Sequence, residues 1–216
     1  QHVKSERTPT FQKLVENTLN LAIITGEHVQ TIMHDSALQQ GLAMAELLQN
    51  LGLDAETICS ALIYPCVRYG ELSLEDIKEQ LSSSIAKLIQ GVSQMDAMRT
   101  LHSQSLISEQ PTQMDNLRRM LLAMVQDIRV VFIKLAERTC WMRQLKALPF
   151  EEQITIAKET QDIYAPLANR LGIGQLKWEL EDLSFRYLNP ETYKKIAKDL
   201  DSKRTEREDH IKKILK

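Results

Sequence analysis

Apolar positions in this chain recur at three- and four-residue intervals almost throughout, and that spacing predicts helices. From Thr10 to Ile24 (TFQKLVENTLNLAII) the pattern is helical, and Gly26 suits the end of the helix. Gln30 to Asn50 gives a second helical region with a break expected near Gly41; its clearest amphipathic part, LAMAELLQNL, is closed by Gly52. Asp54, three residues ahead of Thr57, is a good N-cap for AETICSALIYPCV. Pro65 lies inside that apolar pattern, removes a backbone donor and crowds the carbonyl four residues back, so the helix is expected to kink or stop there. Ser73 with Asp76 makes a capping-box-like start for LEDIKEQL, and SSSIAKLIQG reads as a short helix closed by Gly91. Thr100 to Gln113, polar and proline-interrupted, reads as a loop, and Asn116 to Val125 is helical again.

The stretch Asp127 to Leu171 organises the rest. Val130, Val131, Ile133, Leu135, Met142 and Leu145 make its first half apolar on more than one side, as in a helix buried around most of its circumference. Asp127 can cap its start. Ala136-Glu137-Arg138 interrupts that greasy run, and an acid and a base carried into a core either pair or line a cavity. After Gly172 and Gly174, QLKWELEDLSFRYL carries Leu176, Leu180, Leu183 and Leu188 on one side, and Pro190 heads ETYKKIAKDL. The last stretch, DSKRTEREDHIKKILK, is mixed in charge and nearly coreless.

Composition agrees with this pattern. Seven Gly and six Pro in 216 residues leave little material for a strand-and-turn architecture, so the expected class is all-α, a multi-helix bundle without significant sheet. One domain is expected over residues 1–200, with 201–216 as a charged helical connector. A net charge of −2 gives no global reason to expect nucleic acid or an anionic membrane as partner. No apolar run approaches the roughly 20 residues that span a bilayer, and the polar start QHVKSERTPT is no signal peptide; it reads as an artificial or processed start. Cys59, Cys66 and Cys140 lack CxxC spacing and sit in apolar helical contexts, which points to buried thiols in a reducing cytoplasm.

Four stretches, GLDAETICSALIYP, DNLRRMLLAMVQD, QDIRVVFIKLAERTCWMR and above all IYAPLANRLGIGQLKWELED, together resemble the N-terminal region of the RelA/SpoT family, the enzymes that make and destroy the alarmone (p)ppGpp. The resemblance covers roughly Leu38 to Leu200. It implies an HD-type helical hydrolase domain, which in the family holds a Mn²⁺ ion that helps water remove the 3′-pyrophosphate. At the family's first metal-binding His this chain has Gln40. Its His-Asp pair is here Tyr64 and Pro65, and the metal-binding Asp of its L-A-D-R motif is Glu137 in LAER. The acidic pair that helps with the attacking water is replaced by Arg68 and Tyr69, and the Asn near the nucleotide by Trp141.

Gln is a weak neutral donor, a tyrosine phenol is protonated at neutral pH, and proline has no side-chain donor. One carboxylate is far short of a site that holds a transition ion and activates its water. The expectation is therefore a degenerate site with no catalytic residues and no metal cofactor. The literal His34-Asp35 dipeptide lies outside the matching position and reads as a surface His beside a helix-end Asp. His2, His28, His102 and His210 are scattered among polar residues. Arg118, Arg119, Arg138 and Arg143 are candidates for facing the phosphates of a guanine nucleotide; the plainer alternative is ion pairing with Glu137, Asp115 and Asp127 around a collapsed pocket. Trp141 and Tyr64 are expected to fill the space of the lost ion and nucleotide. Asn169, Arg170 and Trp178 belong to the matching motif but suit packing between the final helices.

The pattern of losses resembles the synthetase branch of the family, whose members transfer pyrophosphate from ATP to GTP or GDP. The resemblance implies a cytoplasmic pseudo-hydrolase that regulates a synthetase domain, with any ribosome contact made elsewhere and no membrane partner. Two alternatives remain: a module that binds (p)ppGpp without cleaving it, and an active hydrolase with an unusual ligand set.

Overall fold

The computed structural model describes residues 9–70, 72–105, 119 and 126–200. Its helices are α1 (Pro9–Gly26), α2 (Ala37–Asn50), α3 (Ala55–Tyr69), α4 (Leu74–Gln80), α5 (Ser83–Ser105), α6 (Arg129–Gln144), α7 (Phe150–Glu159), α8 (Ala165–Arg170) and α9 (Gly174–Leu188). Residues 190–200 are helical as well. The fold is all-α; among the described residues the strand-like pairing is one isolated antiparallel bridge, Gln30 with Ser36. No described helix is long and apolar enough to cross a membrane.

Contacts divide the chain into two compact units, Gln1–Leu148 and Pro149–Lys216, where the sequence pattern suggested one domain over 1–200. The expected connector, 201–216, lies outside the described residues, as does the expected helix 116–125 apart from Arg119.

In the first unit, α6 is the buried spine. Every residue from Ile133 to Met142 is buried, and the helix packs against α2, α3 and α5. Asp127, just ahead of the helix, accepts at Oδ1 from the Arg129 backbone N–H at 3.0 Å, while the N-cap position itself is Ile128, without a side-chain cap. Asp54 accepts from the Thr57 backbone at 3.1 Å to start α3, and Ser73 and Asp76 form the reciprocal capping box of α4.

Four local expectations are corrected. The helical region expected from Gln30 begins only at Ala37, since residues 30–36 form a turn closed by the Gln30–Ser36 bridge. Gly91 does not end a helix: α5 continues through it to Ser105, so 100–105 of the expected loop is helical and 106–113 lies outside the described residues. A Cβ at Gly91 would come within 2.7 Å of Val130 Cγ2, so the glycine lets α5 approach α6. Gly41 likewise does not break α2; a Cβ there would lie 2.0 Å from the Leu62 carbonyl oxygen on α3. Nor does Pro65 stop α3, which runs on for one more turn to Tyr69. Pro65 is buried with its neighbours Tyr64 and Cys66, and tertiary burial outweighs the local preference.

In the second unit, α9 packs against α7, α8 and the π-helical turn Thr160–Tyr164. Leu176 and Leu180 are fully buried, with Leu183 and Leu188 half-buried on the same side. Asn169, Arg170 and Trp178 do not pack between helices: all three are exposed, Trp178 at 70%.

Candidate functional site

Four of the positions that the resemblance singles out, Tyr64, Arg68, Glu137 and Trp141, meet inside the first unit, joined by Asp96 and Lys134. Tyr64 and Arg68 are one turn apart on α3 and share a face; Lys134, Glu137 and Trp141 form a stripe on α6; Asp96 arrives from α5. Arg68 Nη1 donates to Glu137 Oε1 at 3.0 Å and also pairs with Asp96 Oδ2. Lys134 Nζ pairs with Glu137 Oε2 and with Asp96 Oδ1. Each cation therefore bridges the same two carboxylates, and the four groups close a ring. Tyr64 OH donates to Asp96 Oδ2 at 2.8 Å and accepts from Arg68 Nη1 at 3.2 Å.

The ring lies deep. Lys134 and Glu137 side chains are 2% and 1% exposed, Asp96 and Arg68 16% and 22%. The Trp141 indole covers it, with the Arg68 guanidinium 5.1 Å, the Lys134 ammonium 5.7 Å and the Arg138 guanidinium 5.2 Å from the ring centre. A tryptophan face attracts cations, more strongly when both are out of water. Tyr69 lies against the other reach of Arg68, 5.3 Å from its guanidinium.

These neighbours tune one another. Burial works to raise the Asp96 carboxyl, but the Lys134 and Arg68 cations outweigh it and hold the group below its ordinary value. Burial, reinforced by Glu137 and Asp96, pushes the Tyr64 phenol far up, so it is a protonated donor at neutral pH. For Arg68, burial opposes the charge, yet Glu137, Tyr64 and Asp96 keep the guanidinium cationic well beyond its usual range.

Gln40 takes no part in the ring. It is 1% exposed on α2, and neither its amide nitrogen nor its amide oxygen has a hydrogen-bond partner among the described residues.

The four positions that the resemblance matches to metal ligands carry side chains that do not fit a divalent ion. Metal ligands must offer deprotonated lone pairs. Gln40 brings a neutral amide, Tyr64 a protonated phenol and Pro65 nothing, while both Glu137 oxygens already face cations. Among the described residues no three His, Cys, Asp or Glu side chains come together as a metal site requires.

Other sequence candidates are scattered. Of the three candidate arginines among the described residues, Arg138 reaches the site, 1% exposed against Trp141. Arg143, five residues on and so about 140° around the helix, is exposed, as is Arg119; Arg118 lies outside the described residues. Glu137 and Asp127 are ion-paired, but with Arg68 and Lys134 and with Arg129, and Asp115 lies outside the described residues. Tyr64 and Trp141 are buried at 1% and 4%, as expected of side chains filling space. His34 is exposed, with positive φ, and Asp35 accepts from Thr31 and Gln144. Cys59, Cys66 and Cys140 are buried free thiols.

The sequence reading missed Asp96 and Lys134. Lys134 had a signal: a lone lysine inside a helix buried all round needs an acid, and Glu137 stands one turn later.

Residues 5–174 match the HD domain family. The chain is 52% identical to a GTP pyrophosphokinase of Photobacterium angustum, over 81% of this chain and 23% of that one. It is 48% identical to the GTP pyrophosphokinase of Escherichia coli, over 86% and 25%. A probable guanosine-3′,5′-bis(diphosphate) 3′-pyrophosphohydrolase of Synechocystis is 43% identical over 80% and 22%. The chain thus spans about a quarter of the length of the curated relatives it matches. A solved structure of a metazoan ortholog of SpoT that hydrolyses ppGpp shares the fold, with TM-score 0.55 at 16% identity over 84% of this chain and 97% of that one.

Proposed function

The chain belongs to the HD domain family, and from that premise we propose that it is a catalytically inactive (p)ppGpp pseudo-hydrolase domain of a RelA-type GTP pyrophosphokinase. Its role is regulatory: a helical body that acts on the synthetase domain of the longer protein, in the cytoplasm and without a metal cofactor. One observation carries the reading. Glu137, the single carboxylate among the former ligand positions, has both oxygens engaged by Arg68 and Lys134. An ion there would have to displace two cations already paired in a buried site, and water would find no metal to lower its pKa.

A second reading, an active 3′-pyrophosphohydrolase with an unusual ligand set, is favoured by relatives at 43% and 41% identity that carry that name. Against it stand the amide, phenol and proline at positions 40, 64 and 65. Incubating the purified chain with Mn²⁺ and ppGpp separates the two. No pyrophosphate above the protein-free control is expected; metal-dependent release would establish the hydrolase.

A further inference from the structure

We infer that the Arg68–Lys134 pair does the structural work of a bound divalent ion: clasped by Asp96 and Glu137, the two positive charges cross-link α3, α5 and α6 and make this unit's fold independent of metal. A metal held by side chains from separate helices ties those helices together, and its binding free energy becomes folding free energy. The ring of four charges has the same connectivity. Arg68 comes from α3, Asp96 from α5, and Lys134 and Glu137 from α6. Each cation touches both carboxylates, as one ion between two carboxylates would, and two monocations supply the charge of one divalent ion.

The surroundings complete the substitution. The Tyr64 hydroxyl, at a former ligand position, donates to Asp96 and accepts from Arg68, so it joins the ring where it could not have joined a metal. The Trp141 ring lies close to both cations, 5.1 Å from the Arg68 guanidinium and 5.7 Å from the Lys134 ammonium. Asp96 matters most here, since Arg68, Lys134 and Glu137 alone would leave one buried positive charge in excess. The inference rests on the pseudo-hydrolase reading in assuming that the ion is gone. Hydrolysis assays read that loss, whereas the experiment below reads stability, so each can fail without the other.

Thermal unfolding of the full chain in EDTA and in millimolar Mn²⁺ supplies the test. The unsubstituted chain is expected to melt at the same temperature in both. Arg68→Gln/Lys134→Met leaves Asp96 and Glu137 facing each other without the two cations that bridge them; its midpoint in EDTA is expected to fall by about 10 °C, and Mn²⁺ to restore at least about 4 °C of it. If this variant does not fold in EDTA, Mn²⁺ is expected to recover its helical circular dichroism. The fourfold variant Arg68→Gln/Lys134→Met/Asp96→Asn/Glu137→Gln is expected to fold and to ignore Mn²⁺. The inference is overturned if Mn²⁺ stabilises the unsubstituted chain. It is equally overturned if the double variant melts like the unsubstituted chain, if Mn²⁺ leaves it unchanged, or if the fourfold variant gains as much from Mn²⁺ as the double.

Discussion

Arg68 on α3 donates to Glu137 on α6 at 3.0 Å, closing a contact between positions 69 residues apart in sequence. In the proposed reading the first stands at the position of an acid that helps water and the second at that of a metal-binding Asp, and the two neutralise each other.

Single neutral substitutions in the ring are expected to be costly, because each strands a buried partner. Lys134→Met should lose about 3–5 kcal/mol in urea unfolding, and Arg68→Leu the lower end of that range, since its side chain is 22% exposed against 2% for Lys134. A loss below about 1 kcal/mol for Lys134→Met would place the ring among ordinary surface pairs.

The ring also fixes how stability responds to acid. Asp96 is held below its ordinary value by Lys134 and Arg68 despite burial, and Asp127 is held down first by its hydrogen bond from Arg129. A carboxyl depressed in the folded state binds fewer protons there than in the unfolded chain. Its stabilisation is complete above the unfolded value and is lost as pH falls through the folded one. The melting temperature is therefore expected to be flat from pH 7 to about 5 and to drop below about pH 4. A midpoint that rises on acidification would contradict this assignment.

The two close-approach glycines should differ in tolerance. Ala at Gly41 puts a Cβ 2.0 Å from a backbone oxygen that cannot swing away; Ala at Gly91 meets the tip of a valine side chain at 2.7 Å. Gly41→Ala is expected to cost more than about 3 kcal/mol or to prevent folding. Gly91→Ala should cost about 1 kcal/mol, recovered by adding Val130→Ala. Denaturant midpoints for the three variants, with equal loss at both glycines as the contrary result, check the comparison.

Gln40 tests whether a buried amide at the position that the proposed reading assigns to a metal ligand carries a cost. With both amide atoms buried and lacking partners among the described residues, Gln40→Met keeps the volume and removes the polar burden. It is expected to stabilise the chain by about 1–3 kcal/mol. A destabilised Gln40→Met chain would mean that the amide is satisfied in solution.

Much of this architecture was legible in the sequence because it is written locally. The caps at Asp54 and Ser73, the all-round burial of α6 and the Leu176/Leu180 stripe depend on residues a few positions apart, and all appear as expected. What stayed hidden depends on distant chain segments. Gly91 looks like a helix end until Val130 is placed beside it. With a helix end at Gly91, Asp96 falls outside any element, and the acid that completes the ring has no helix to stand on. Chemistry alone groups the arginines, while helical angle puts Arg138 inside and Arg143 outside. Pro65 was judged by its cost to an isolated helix, and tertiary burial overrode that cost.

In the proposed reading, side-chain cations hold the place of a metal ion. Equilibrium dialysis of the purified chain against Mn²⁺, with the bound ion counted by electron paramagnetic resonance, tests it most directly. No bound manganese above nonspecific background at micromolar ion is expected, and one tightly held ion per chain, lost on Glu137→Gln substitution, would contradict it.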